Sequence, residues 1–251
     1  MGAEPMRLGL LADIHANREA LEACLDRLSR ERIDRLVLLG DIVGYGADPV
    51  FTLETAMRLQ GEGALVLRGN HDQAVFDPEE KMNAVATAAM DWTRRQLSPE
   101  HAGWLRSLPY THRLGDVLFT HANAWTPQDF DYTRNAMEAE RNLRATDAAI
   151  VFCGHTHVAA LYHAAPMRPP THFRPLPGTT VPLVSQMRWV GVIGAVGQPR
   201  DGGSAAACAV YDVDQRQITF LRVAYDAGKA SGKVLAAGLP ASLAERLLKG
   251  N

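Results

Sequence analysis

Residues 36–41 read Leu36-Val37-Leu38-Leu39-Gly40-Asp41. Four apolar residues run unbroken into a glycine and an aspartate. An apolar run closed by a turn residue is the pattern of a strand covered on both faces. Open α/β sheets collect their ligands outside the carboxyl ends of the strands, which is where Asp41 stands. Working outward, the same form recurs. Leu8 to Ala12 is an apolar strand ending at Asp13-Ile14-His15, and Ala64 to Leu67 ends at Arg68-Gly69-Asn70-His71-Asp72. Asp116 to Thr120 ends at His121, and Ala148 to Cys153 ends at Gly154-His155-Thr156-His157.

Helical patterns separate the first strands. Asn17 is placed to cap a helix whose apolar face is Leu21, Cys24, Leu25 and Leu28. Asp48 is expected to cap a second helix, with Pro49 as its first residue and Gly61 as its stop. Strand, helix, strand, helix, strand predicts a parallel sheet with right-handed crossovers. Helical stretches follow over 82–97, after Ser98-Pro99 and over 134–144. Beyond residue 157 come strands over 158–163, 189–196, 206–213 and 218–224. The last two are joined by the turn Asp214-Gln215-Arg216, so antiparallel pairing is expected there. Helices over 227–237 and 241–249 close the chain. Residues 166–182 hold six of the fourteen prolines and are expected to form an irregular connection or a long hairpin loop.

Length and composition narrow the class. The 251 residues are expected to form one domain, 1–251. The net charge of -2 and the scattered basic residues argue against duplex nucleic acid as a partner. No apolar run is long enough to span a membrane. The N-terminal residues Met1 to Arg7 lack the pattern of a signal peptide. Cys24, Cys153 and Cys208 are widely spaced, as expected for reduced, buried thiols in a cytoplasmic protein.

The strand ends carry the chemistry. Asp13, His15, Asp41, Asn70, His71, His121, His155 and His157 are all metal ligands or proton-transfer groups by type. Five of the nine histidines fall among them. Carboxylate and amide oxygens with imidazole suit Mn, Fe or Zn, with Mn or Fe favoured, and the absence of thiolates argues against a structural zinc site. Eight donors exceed what one ion takes, whereas two ions sharing a bridging carboxylate use them well. The five strand ends are expected to converge on one edge of one sheet.

The order Asp-x-His, Gly-Asp, Gly-Asn-His-Asp, a lone His after a strand, then Gly-His-Thr-His resembles the calcineurin-like metallophosphoesterase superfamily. The likeness runs from Asp13 to His157. The segment Gly197-Gln198-Pro199-Arg200-Asp201-Gly202 is similar to a small prokaryotic, phosphodiesterase-like branch, although Gly191 to Ala195 lacks the Asn-Pro-Gly-Ser run that the branch often carries. The resemblance implies a four-layer αββα sandwich, two mixed β-sheets flanked by helices. The resemblance fits the strand reading above, a parallel first sheet and a more antiparallel second one. It further implies that Asp13, His15 and His157 hold one metal, that Asn70, His121 and His155 hold the other, and that Asp41 bridges them. His71 is then the general acid or a donor to a phosphoryl oxygen, with Asp72 orienting it.

Two divalent or trivalent ions about 4 Å apart lower the pKa of a bridging water, and the resulting dimetal-bound hydroxide attacks phosphorus in line. The implied activity is that of a hydrolase acting on a phosphorylated small molecule or nucleotide. Protein phosphatases of the superfamily carry an arginine soon after Gly-Asp and usually Gly-Asn-His-Glu. Here the loop is Ile42-Val43-Gly44-Tyr45-Gly46 and the fourth residue is Asp72. Both departures favour a phosphodiesterase or a nucleotide or dinucleoside polyphosphate hydrolase. The alternatives are a phosphomonoesterase or protein-phosphatase-like enzyme, or a catalytically silent metal-binding scaffold. Tyr45 and Arg200 are the candidate substrate contacts, Tyr45 by stacking or as packing and Arg200 by gripping a phosphate.

Overall fold

A computed structural model describes residues 6–166 and 168–251. The expectations for the first five residues lie outside them. The twelve strands are β1 (Arg7–Leu11), β2 (Arg35–Leu38), β3 (Leu65–Val66), β4 (Thr111–Leu114), β5 (Val117–Thr120), β6 (Ile150–Cys153), β7 (Ala160–Ala164), β8 (Thr171–Phe173), β9 (Thr180–Pro182), β10 (Arg188–Val192), β11 (Ala206–Asp212) and β12 (Gln217–Val223). The helices are α1 (Arg18–Ser29), α2 (Pro49–Gly61), α3 (Asn70–Ala74), α4 (Ala84–Gln96), α5 (Pro99–Ser107), α6 (Ala136–Ala145), α7 (Ala227–Ala236) and α8 (Ala241–Lys249).

Two six-stranded sheets form, ordered β3-β2-β1-β11-β12-β9 and β4-β5-β6-β10-β7-β8. Strict alternation along each strand sends one side chain to each face. In β1, Leu8 and Leu10 join Val37, Phe119, Phe152 and Tyr211 in the core between the sheets, while Leu11 packs outward with Leu21, Cys24 and Leu28 of α1. On the other outer face, Val151, Cys153 and Val190 meet Ala139 and Leu143 of α6. The result is the expected αββα sandwich. Each fully buried aliphatic or aromatic side chain contributes roughly 1.5–3 kcal/mol, so the seam between the sheets and the helix-covered outer face are both large stores of stability.

Several expectations need correction. The first sheet is not purely parallel, because β11 returns to pair antiparallel with β1. The second is no more antiparallel than the first: β5, β6 and β10 run parallel, and each sheet has two parallel and three antiparallel pairings. An apolar run shows that a strand is buried, not which partner it takes. Thr111–Leu114 adds an unforeseen hairpin strand, β4, paired with β5. Residues 166–182 are not wholly irregular: they supply β8 to the outer end of one sheet and β9 to that of the other. Asp48 does precede α2, but it makes no side-chain cap; its carboxylate takes a hydrogen bond from Lys233 at 2.7 Å. Gly61 is the last residue of α2 and not its stop; Gly63, at φ 103°, makes the turn. All three cysteines are buried and free. Among the described residues no helix is long and apolar enough to cross a membrane.

Candidate active site

The five strand ends do meet, but across the seam between two sheets and not on one. The first sheet supplies Asp13 and His15 after β1, Asp41 after β2 and Asn70 at the start of α3. The second supplies His121 after β5, and His155 and His157 after β6. Asp13, His15, Asp41, His155 and His157 all have left-handed backbones, with φ between 48° and 65°. This conformation costs non-glycine residues roughly 1–3 kcal/mol each and persists only where the surroundings enforce it. The enforcing bonds are visible: His15 N–H donates to the Asp41 carbonyl at 2.9 Å, and His155 N–H donates to the Asp13 carboxylate at 2.9 Å. Gly69 packs so closely on Asp41 that a Cβ there would collide with its carboxylate.

The donors form two groups that share Asp41. Donor atoms of Asp13, His15, Asp41 and His157 lie within 4.8 Å of one another, as do those of Asp41, His121 and His155. Asp41 Oδ2 is 3.5 Å from His15 Nε2 and 3.4 Å from His121 Nε2, one histidine from each group. Backbone carbonyls of Val43, Leu39 and Gln198 face the Nδ1 atoms of His15, His121 and His157 at 3.2, 2.9 and 2.7 Å. A carbonyl only accepts, so each Nδ1 carries the proton and, in the neutral rings, each Nε2 presents a lone pair to the group. The Nε2 atoms of His15 and His157 are 3.1 Å apart. Two lone pairs at that distance repel unless a cation serves both. The Oδ1 atom of Asn70 is buried with no hydrogen-bond partner, as suits an oxygen that serves an ion. The donor set therefore fits two metal ions.

Charge within the site follows burial and neighbours. Burial lowers His155 to about 3 and His71 to about 4. It also raises Asp13 to about 7, against the pull of His121. Burial alone would lower His121, but Asp41 and Asp13 outweigh it and raise that imidazole to about 9. The two carboxylates thus draw positive charge to the middle of the site.

A small cleft over these groups is lined by His71, Tyr45, Arg200 and Lys81, among others. His71 Nδ1 is buried without a partner, packed against Gly44. Asp72 does not orient this ring. Its carboxylate accepts from the backbone N–H groups of Ile42, Val43 and Gly69 at 2.9, 3.3 and 3.0 Å. Asp72 therefore ties the Asp41 loop to the start of α3. Tyr45 is buried, its ring centroid 4.6 Å from that of His15 and 4.3 Å from that of His71. Arg200 lies over the Tyr45 ring at 5.8 Å, with its Nε buried and unpartnered. Two lining residues had no signal in the sequence. Tyr132 stacks on His155 at 4.2 Å, and Lys81 sits in the connection before α4. Both come from irregular segments, where neither periodicity nor spacing marks a site.

A two-sheet α/β sandwich whose seam gathers two histidine–carboxylate donor sets around one aspartate is the plan of a metal-dependent phosphoesterase. The chain belongs to the calcineurin-like phosphoesterase superfamily, whose domain matches residues 6–216. It is 31% identical over 258 residues to an uncharacterised protein of Methanocaldococcus jannaschii, covering 97% of this chain and 98% of that protein. It is similar to the crystal structure of a metallophosphoesterase from Sphaerobacter thermophilus, with a TM-score of 0.85 and 36% identity, covering 99% of this chain and 100% of that one. A hypothetical protein from Pyrococcus horikoshii shares the fold with a TM-score of 0.79 at 20% identity, covering 98% and 99% of the two chains.

Proposed function

We propose that the protein hydrolyses phosphodiesters or the phosphoanhydrides of nucleotides and dinucleoside polyphosphates. The observation that carries this reading is the double donor set sharing Asp41, completed by the unpartnered Asn70 oxygen. Asp13, His15 and His157 would hold one ion, Asn70, His121 and His155 the other, and Asp41 both. Bound Mn, Fe or Zn ions supply Lewis acidity and an activated water.

The remaining roles belong to the chain itself. With Nδ1 of His71 packed on Gly44, Nε2 is the nitrogen left to face the cleft. Burial keeps the ring neutral at pH 7. His71 therefore acts as a hydrogen-bond donor to a phosphoryl oxygen, the second of its two expected roles, because a neutral ring has no spare proton to deliver. Arg200 supplies the cationic grip that the loop from Ile42 to Gly46 lacks. Its unpartnered Nε supports that role, and its origin in a different segment separates this cleft from the protein-phosphatase pattern. Tyr45 serves as packing beneath His15 and His71, since both rings lie against it.

The test is turnover of bis(p-nitrophenyl) phosphate with added Mn, set against p-nitrophenyl phosphate. The diester is expected to be the better substrate. No turnover of any mono- or diester with both ions bound would leave the silent scaffold as the reading.

A further inference from the structure

Beside the metal cleft, which holds about 80 Å³, a second pocket of about 400 Å³ opens. The two share Tyr132 and Arg200, which line both. The second pocket is lined further by Arg134, by Tyr162 of β7, and by His172 and Arg174 from the proline-rich segment. Among the described residues no carboxylate lines it. Of the nearby acids, Asp131 pairs with Arg141 at 3.8 Å and Glu140 with Arg144 at 2.6 Å, while Glu138 stands at the rim and accepts from the backbone N–H of Arg134 at 2.5 Å. The Arg134 guanidinium lies over the Tyr132 ring at 4.4 Å, and that ring in turn stacks on His155. Arg200 spends one Nη on Gln198 at 2.9 Å and keeps a buried Nε unpaired.

Three guanidinium groups around one concavity that no carboxylate lines leave an excess of positive charge even beside Glu138, and form a site for a polyanion. A single diester phosphate fills the small cleft and leaves this charge unanswered. A chain of phosphates, with its scissile phosphorus over the donor sets, would run past Arg200 to Arg134 and Arg174. The pocket's size is within the usual range for small-molecule sites, roughly 300–1,000 Å³. We propose that this pocket is a subsite for the phosphate chain beyond the scissile phosphorus, so that the substrates are nucleoside or dinucleoside polyphosphates and not simple diesters. This inference rests on the hydrolase reading above. It also gives residues 171–174 a task.

The experiment compares kcat/KM for diadenosine tetraphosphate with that for bis(p-nitrophenyl) phosphate, using Mn-loaded wild type and the double variant Arg134→Ser, Arg174→Ser. Both arginines are exposed, so their replacement opens no core. The ratio of the two values also cancels any loss of folded enzyme. Two lost charge contacts are expected to lower the ratio by about fivefold or more, mainly through KM for the polyphosphate. A smaller fall overturns the proposal, as does a wild type that cleaves the diester and not the polyphosphate. Absence of both activities would instead overturn the hydrolase reading beneath it.

Discussion

At the scale of single residues, the donors were legible and their conformations were not. Asp, Asn and His at the ends of apolar runs declare metal chemistry by type. The letters Asp13, His15 and His155 do not say that their backbones are left-handed, because Asp and His enter that region more often than other non-glycine residues but still only in a minority of positions. Asp72 misled for a related reason: it follows His71 in sequence, yet its oxygens turn to backbone N–H groups. Two substitutions test the assignments. Asp41→Ala is expected to weaken both ions by roughly a hundredfold or more, while Asn70→Ala empties mainly one. Metal analysis that finds two tightly held ions in Asp41→Ala would remove the bridging role. Gly44 has φ 87° and lies under the His71 ring. Gly44→Ala should therefore push that ring from its place, leaving both ions bound while kcat falls by about tenfold or more. Unchanged kcat in that variant would show that His71 position does not matter.

At the scale of elements, helices were readable from their apolar spacing, and Asn17 caps α1 as its sequence indicates, accepting from Ala20 N–H at 3.1 Å. Ties between distant helices were not readable. Glu19 of α1 is buried and meets Lys233 of α7 at 2.8 Å and Lys229 at 3.2 Å; Lys233 also reaches Asp48 before α2. Burial would raise Glu19, but the ammonium groups of Lys233 and Lys229 beside it outweigh burial and hold its carboxyl below the ordinary range. A folded pKa below the unfolded one contributes stability above the unfolded value, and that stability is lost as pH falls through the folded value. Glu19→Gln is therefore expected to lower stability by roughly 1–3 kcal/mol at pH 7. The gap from wild type should narrow as pH is taken from 7 into acid, through the lowered folded value. Thermal melts across that range decide this, and a gap that persists in acid would assign the effect to packing.

At the scale of the whole molecule, the site was expected on one sheet and instead joins two. Sheet membership depends on pairings such as β11 with β1, between residues some two hundred positions apart, which no local pattern reports. Because each donor set draws on both sheets, bound ions would fasten one layer to the other. Ligands that bind only the folded state stabilise by mass action, about 4 kcal/mol when present at a thousand times Kd. Adding Mn to chelator-treated protein should therefore raise Tm, and should raise it much less in Asp41→Ala. An equal rise in both would place the stabilising ion elsewhere. The proline-rich segment has a different consequence. Its two three-residue strands, β8 and β9, stand at the outer ends of the two sheets and cover β7 and the seven-residue β12. Bare strands of that length are templates onto which another chain can add, and short, proline-bounded ones are poor templates. One stretch of chain thus closes one edge of each sheet with a poor template for a further strand.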